Sequence, residues 1–299
     1  MNFTHLSAFL AVVEAGSVTG ASARLHVSQP ALTREIRDLE ERLGVVLFDR
    51  RPRGMSPTEA GRLLAGYAKR IFALTDEAEA ALDEFSGLVR GNLKLAASRT
   101  IGSYLLPPVL DVFCDRYPGV TIDVAEMNTE LVEAALLTYE RQLGFVEGAY
   151  DTTAFDSMVF GRDTLLAVAA SSHPLARKHR VGVQDIADCD VLSREPGSGT
   201  RNAVETAFAE HGLEFAPRLS VGSAEAMNRL LLRGNAIAWV SRFTIEAELE
   251  AGALVPLRVT DMTVERDLTI IWHKGATLSP SARIFRDLLV EQARARAAP

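Results

Sequence analysis

The stretch from Ser17 to Leu43, SVTGASARLHVSQPALTREIRDLEERL, limits what this chain can fold into more than any other. Leu32, Ile36, Leu39 and Leu43 recur every three or four residues, which puts them on one face of a helix starting near Ser28, with Pro30 tolerated in its first turn. Gln29, Pro30, Thr33, Arg34 and Arg37 are then left to the solvent side. Upstream, Thr19 to Leu25 reads as a short helix with Ala21 and Leu25 inward, and only His26, Val27 and Ser28 separate the two. Two short helices joined by so tight a turn form a helix-turn-helix, whose second helix reads base edges in the DNA major groove. Gln and Arg near the N-terminus of that helix suit the task. Spacing alone is met equally well by an ordinary helical hairpin, and the flanks decide between the two.

Before the pair, Leu6, Phe9, Leu10 and Val13 form an apolar stripe able to complete a three-helix core, stopped by Gly16 and Ser17. After it, Gly44 ends the long helix, and Val45, Val46, Leu47 and Phe48 read as a short strand. The turn Asp49-Arg50-Arg51-Pro52-Arg53-Gly54, with Met55 and Ser56 returning, makes a hairpin wing that sets Arg50 and Arg53 beside backbone phosphates. Pro57 and Thr58 open a long helix to about Phe85. In it Ala60, Leu64, Tyr67, Ile71, Leu74, Ala78, Ala81 and Phe85 alternate steps of four and three, the pattern of a coiled-coil seam. Such a seam needs a partner, and two heads on a paired rod suit a two-fold symmetric DNA site.

Composition narrows the class. With 299 residues, 47% of them hydrophobic, the chain can build two or three compact units. Its start lacks the pattern of a secretion signal and no apolar run is long enough to span a bilayer, so the expectation is a soluble, cytoplasmic protein with no membrane partner. Cys114 and Cys189 stand far apart in no CxxC arrangement and read as small buried apolar residues, with no metal site or cofactor indicated. The net charge of -7 argues against holding nucleic acid by bulk attraction. Residues 1–61 are themselves neutral, with seven Arg against seven Asp plus Glu, so DNA binding must rest on where the cations stand.

The segment SQPALTREIRDLEERLGVVLFDRRPRGMSPTEAG resembles the DNA-binding region of LysR-type transcriptional regulators, and the length and order of parts of the whole chain are similar to that family. The match is dense over the first fifth. Val18 and Gly20 stand where Phe and Ala are commoner, and Thr33 replaces the usual Ser while keeping a hydroxyl. The resemblance implies double-stranded DNA carrying an inverted repeat as partner. It also implies a homodimer that pairs into a homotetramer, and RNA polymerase as a further partner if the protein activates.

Beyond Gly87 and the Arg90-Gly91 pair, taken as a hinge, the pattern changes. Strands at Asn92–Ala97, Val120–Ala125 and Leu143–Val146 alternate with helices at Thr100–Tyr117 and Thr129–Leu137. A second series has strands near Leu165–Ala170, Val191–Ser193, Leu219–Val221 and Ala236–Val240, and helices near Thr200–His211 and Glu225–Arg233. The chain closes through Leu268–Trp272 and a helix from Ser279 to Arg296. Such alternation predicts a mostly parallel α/β sheet with helices on both faces. It is similar to the two-lobed, periplasmic-binding-protein-like effector domain of LysR-type regulators, which implies crossovers near Arg162 and Asp267. The expected domains are the winged helix-turn-helix at 1–58, a linker helix at 59–88, lobe one at 91–161 with 268–299, and lobe two at 162–267.

Ligands in open α/β sheets bind beyond the carboxyl ends of strands, where helix N-termini converge. Ser98-Arg99-Thr100, Asn128-Thr129 and the run Gly197-Ser198-Gly199-Thr200-Arg201 occupy such ends, offering hydroxyls and free N–H groups to a small anion. Helix capping is the competing reading, and it suffices for Thr129 and Ser223. The resemblance places effector contacts at Ser98 to Thr100 and at Thr129. The phrase Arg194-Glu-Pro-Gly-Ser-Gly-Thr-Arg201, with Glu147, is similar to members controlling carbon fixation or sulfur assimilation, which implies phosphorylated metabolites or small sulfur anions. Thr138 to Gln142 departs from that pattern and implies an altered cleft floor near Gln142. Enzymes fare poorly, because Pro196 breaks a GxSxG elbow at Ser198 and no Walker sequence occurs. A thiol-based redox sensor of the same architecture and an exported solute receptor or enzyme on a binding-protein-like fold are the alternatives.

Overall fold

A computed structural model describes residues 1–51, 54–85 and 89–297, with the side chains of residues 50, 51, 80, 81, 83–85 and 297 excepted. The chain divides into two compact units, Met1–Glu79 and Ala80–Pro299.

The first unit begins with α1 (Phe3–Ala15), α2 (Val18–Leu25) and α3 (Gln29–Leu43), each opened by a polar side chain: Asn2, Ser17 and Ser28 accept from backbone N–H groups one turn on. Gly16 and Gly44 close α1 and α3 in the left-handed conformation. His26 closes α2 in the same conformation. Phe9, Val12, Ala21, Leu32 and Leu39 fill the core where the helices cross. The wing is β1 (Phe48–Arg51) paired antiparallel with β2 (Gly54–Pro57). It is pinned to the end of α1: the Met55 N–H donates to the Gly16 carbonyl at 2.8 Å, and a Cβ on Gly54 would sit 2.5 Å from that same oxygen.

The strand expected from Val45 starts only at Phe48. Glu40 Oε1 captures the N–H groups of Leu47 (2.7 Å) and Phe48 (3.3 Å), while Thr58 takes the carbonyls of Val46 and Leu47, so no ladder forms there. Val45 and Val46 are left exposed, and so is Leu43, placed inward by its spacing.

In α4 (Glu59–Phe85) the expected seam divides between two faces. Ala60, Leu64 and Ile71 pack with buried Ala65 and Ala68 against the core of their own head. Tyr67 and Leu74, together with Leu63 and Leu82, are each more than half exposed. A straight helix drifts against a seven-residue repeat, and the head takes the face that drifts toward it. Ala81 and Phe85 have side chains outside the described residues, as does the whole of Gly87.

The second unit opens with β3 (Gly91–Ser98), a wide helical turn at Ile101–Leu105, and α5 (Pro107–Arg116). The single helix expected from Thr100 to Tyr117 is thus broken. Pro107 and Pro108 have no N–H to give, and the Leu106 N–H reaches back five residues to Ile101 O at 2.9 Å. There follow β4 (Val120–Met127), α6 (Thr129–Leu137), β5 (Leu143–Glu147) and the long β6 (Phe155–Ala170). Then come α7 (Val183–Ala187), β7 (Leu192–Arg194), α8 (Gly199–Glu210), β8 (Leu219–Val221), α9 (Ala224–Leu231), β9 (Ile237–Ser241) and α10 (Glu246–Glu250). The chain ends through β10 (Leu254–Pro256), β11 (Val264–His273) and α11 (Pro280–Ala297).

The main sheet runs β10-β6-β11-β5-β3-β4, with β9 also on β6. Within it only the β3–β4 and β3–β5 pairs are parallel, so the sheet is mixed where a mostly parallel one was expected. The cause is the pair β6 and β11, two long strands running antiparallel from one lobe into the other, with a register shift at Leu268/Thr269. Lobe one packs Leu95, Phe113, Phe145 and, from the end of the chain, Phe285; lobe two packs Val204, Phe208, Ile237 and Trp239. Cys189 is half-buried, whereas Cys114, expected to be packed, lies exposed on the outer side of α5 beside buried Phe113. Among the described residues no helix is long and apolar enough to cross a membrane.

His211 ties the end of α8 to the segment that leads into β11. Its Nδ1 lies 2.8 Å from the Ala207 carbonyl and its Nε2 2.8 Å from the Asp261 carbonyl. Both partners only accept, so the doubly protonated ring satisfies both, and these two backbone bonds, followed by the Asp261 and Glu210 carboxylates, raise the pKa from its usual value. A raised folded pKa contributes stability below about pH 6.5 that is lost as pH climbs through the folded value. We expect His211→Ala to melt earlier than wild type near about pH 6 and the difference to narrow as the pH is raised, measured by circular dichroism.

Candidate functional site

Two groups of side chains stand out, one in each unit. In the first, Gln29, Pro30, Thr33, Arg34 and Arg37 line one shallow depression on the outer face of α3, all exposed. The Ser28 cap and Pro30 start the helix, and Leu32, Ile36 and Leu39 turn inward to aim these five outward. The Thr33 hydroxyl donates to Gln29 O at 2.8 Å, so its methyl group and oxygen lone pairs, not its proton, face out. Arg37 Nε donates to Glu41 Oε1 at 2.8 Å and Arg34 Nε lies 3.7 Å from Asp38 Oδ2. Exposed pairs one helical turn apart contribute only about 0.3–0.5 kcal/mol, so either guanidinium exchanges its carboxylate for another anion at little cost. Of the wing cations, Arg50 sits in β1 opposite Met55 with its side chain outside the described residues, and Arg53 lies outside them altogether.

In the second unit the ends of β3, β5, α6 and α8 meet. Asn128 caps α6, its Oδ1 accepting from Leu131 N at 2.9 Å, while its Nδ2 donates to Pro196 O at 3.1 Å in the opposite lobe. Glu130 N donates to Gly197 O at 3.3 Å. The approach is close enough to demand glycine: a Cβ on Gly199 would lie 2.2 Å from Glu147 O and 3.0 Å from Thr129 Oγ1. Arg99 of lobe one ion-pairs with Glu195 of lobe two, which Arg194 also holds, Nε to Oε2 at 3.0 Å. Two guanidinium groups thus share the Glu195 carboxylate at this corner, with the Glu130 carboxylate beside Gly197.

Ser98, Thr100, Thr129, Glu147, Ser198 and Thr200 are all buried here. Three of their polar atoms, Ser98 Oγ, Thr129 Oγ1 and Glu147 Oε1, have no hydrogen-bond partner. Capping does not account for Thr129, since Asn128 holds the cap position, and Ser198 stands at the N-cap of α8 without a side-chain capping bond. Ser223 does cap α9. Arg201 is turned to Glu205 and to Ser220. Gln142 bonds Lys94, four residues before Ser98 on β3, so the departure at Thr138 to Gln142 lies away from the cleft floor, contrary to expectation.

The residue that organises this region escaped the sequence reading. Arg266 on β11 is fully buried, giving Nε and Nη2 to Asp163 Oδ2 (3.0 and 2.7 Å) and Nη1 to Thr200 Oγ1 (2.8 Å), with Nη2 3.8 Å from Glu147 Oε1. Ser241 donates to the other Asp163 oxygen at 3.1 Å. The available signal was a charged residue at an inward position of an alternating strand, Val264-Glu265-Arg266-Asp267-Leu268. Burial, followed by Asp188 and Asp185, pushes the Cys189 pKa up, which disfavours its thiolate.

Comparison with known proteins gives the family of each part of the chain. Residues 3–62 match the family described as "Bacterial regulatory helix-turn-helix protein, lysR family", and residues 86–294 match "LysR substrate binding domain". The chain is 30% identical to the RuBisCO operon transcriptional regulator of Allochromatium vinosum, over 98% of its own length and 97% of that protein. Full-length CbnR, solved with its target DNA, superposes with a TM-score of 0.66 at 26% identity, each chain covered completely. The CcmR regulatory domain of Synechocystis PCC6803, solved in complex with 2-PG, gives a TM-score of 0.64 at 27% identity, covering 69% of this chain and 98% of that one. A helix-turn-helix head with its outward Gln and Arg side chains, joined to a two-lobed ligand-binding unit of this descent, makes the chain a member of the LysR family of bacterial transcriptional regulators.

Proposed function

We propose that this regulator binds an inverted-repeat operator through Gln29, Thr33, Arg34 and Arg37, with Arg50 and Arg53 on phosphates, and that a small anion held between the lobes modulates that binding. The observation that carries the effector reading is the trio of buried atoms without hydrogen-bond partners at Ser98, Thr129 and Glu147, the last with only the 3.8 Å ion pair to Arg266. Buried polar groups without partners cost about 1–3 kcal/mol each, and a ligand that bonds all three recovers that cost. Two hydroxyls donate to oxyanion oxygens, and the two facing helix N-termini add N–H groups and dipole. Glu147 Oε1 accepts only. A bare oxyanion would be repelled there, so the effector carries a hydroxyl or N–H beside its negative charge. That 2-PG occupies the regulatory domain of CcmR supports an effector of this size.

The domain limits that fit this reading are 1–58, 59–88, 91–161 with 268–299, and 162–267; the register shift at Leu268/Thr269 supports the last boundary. The exposed stripe Leu63, Tyr67, Leu74 and Leu82 supports a homodimer joined along α4, with dimers pairing into tetramers as the further step. RNA polymerase is the additional partner if the protein activates. The chain acts as a cytoplasmic regulator and not as an enzyme, since both of its parts are assigned to DNA and effector binding.

In calorimetry on the full chain, hydrogen phosphate or a phosphorylated hydroxy acid should bind while sulfate does not, and Glu147→Gln, which turns an acceptor into a donor, should admit sulfate. Equal binding of sulfate by the wild type overturns the reading. In gel-shift titrations Arg34→Ala should lose about tenfold or more on the operator and discriminate less between operator and random duplex. Unchanged titrations would remove α3 as the reading helix. Tyr67→Glu with Leu74→Glu should sediment as a monomer while its head keeps wild-type helicity, because neither side chain belongs to the packed face of α4.

A further inference from the structure

Away from the anion cleft, a groove of about 660 Å3 runs between the first turn of lobe one and the α9–α10 side of lobe two. Its charge is lopsided: Glu225, Glu246, Glu248 and Glu250 line it against one guanidinium, Arg229, which Glu225 already holds. Its walls also carry Tyr104, Leu232 and Phe243, three large apolar side chains left exposed. The floor holds a second, separate sign of a missing partner. Asn228 is 93% buried (7% exposed); its Nδ2 donates to Thr244 O (2.7 Å) and Glu248 Oε1 (3.3 Å), which fixes the amide, and its Oδ1 meets no donor. The Tyr104 hydroxyl senses the same field, its pKa raised by burial and then by Glu248, Glu126 and Glu225.

We propose that this groove binds a small organic cation, an aliphatic amine with separated ammonium groups. The carboxylates neutralise its charges, Asn228 Oδ1 accepts an N–H, and the methylene chain lies on Leu232 and the Tyr104 and Phe243 rings, whose faces also attract cations. Among the described residues no group of three or more carboxylates, His or Cys is arranged to hold a metal ion, which favours spaced charges over a single divalent one. The volume suits such a ligand. Because Tyr104 belongs to lobe one and the glutamates to lobe two, an amine that touches both binds one arrangement of the lobes more tightly, and so biases closure. The proposal uses none of the anion-cleft residues and stands whether or not that cleft takes an anion.

Calorimetry on the full chain with spermidine, at about 0.15 M NaCl to screen diffuse attraction, tests it. One saturable site is expected, with MgCl2 at matched ionic strength giving none. Glu246→Gln with Glu250→Gln, both exposed and outside the core, should weaken spermidine about tenfold, with unchanged melting by circular dichroism. Phe243→Ala should weaken it without changing the charge. No saturable heat, equal competition by Mg2+, or undiminished binding by the double glutamine variant would each overturn the assignment.

Discussion

The buried guanidinium of Arg266 is the interaction on which the second unit depends. It joins four pieces of chain: β11 carries it, β6 supplies Asp163, the first turn of α8 supplies Thr200, and the end of β5 brings Glu147 to 3.8 Å. Removing one partner from such a pair costs about 3–5 kcal/mol, because it leaves a charge stranded in the interior. An apolar trio of similar volume would hold the strands together as well. It would not fix the N-terminus of α8 by a directional bond, nor hold a carboxylate oxygen without a hydrogen bond beside the lobe junction. The ion pair thus supplies position more than stability.

Position matters because the cleft is shut in this structure. Ser98, Thr129 and Glu147 are sealed from solvent, and Arg99–Glu195 with Asn128–Pro196 latch one lobe to the other. On the proposed reading, a ligand would reach these atoms only when the latches part, and its free energy of binding would then be added to the closed arrangement alone. The latches themselves are modest, since Arg99 is about one-third exposed and its pair is screened accordingly. Opening is therefore controlled by groups at the rim, while the fixed cluster around Arg266 keeps both lobes in register on β6 and β11.

Much of this was legible in the sequence because local signals coincided with the tertiary solution. α6 runs over the span its pattern predicts, since Asn128 caps it and Val132, Ala135 and Leu136 face the core. The features that were missed share a cause: a local signal overruled by a distant partner. Arg266 carries a charge in a strand, yet it is buried because Asp163, itself in mid-strand on β6, neutralises it. Val45 and Val46 read as a strand, yet Glu40 and Thr58 take the backbone groups that a ladder would need. The α4 heptads were visible, but not their division between the head's own core and the open face. Tyr139 adopts a left-handed φ of 57° and stacks at 4.6 Å on His273, a contact that no local pattern discloses.

The same contrast between local and distant charge explains how an acidic chain can hold DNA. At -7 overall it is repelled by a polyanion at long range, and the head adds no net attraction. What α3 offers is two guanidinium groups already paired with carboxylates one turn along the helix, at 2.8 and 3.7 Å. Those carboxylates lower the cost of clustering arginines on one face, and exposed pairs are weak enough to be exchanged on contact with base edges or phosphates. Random duplex, whose base edges stand in no matching order, gains little from that exchange beyond phosphate contacts. An operator that adds bidentate bonds to base edges gains about 1–3 kcal/mol for each good pair. If α3 is the reading helix, as proposed, cancelling its own bulk charge sharpens the preference of the head for sequence over phosphate.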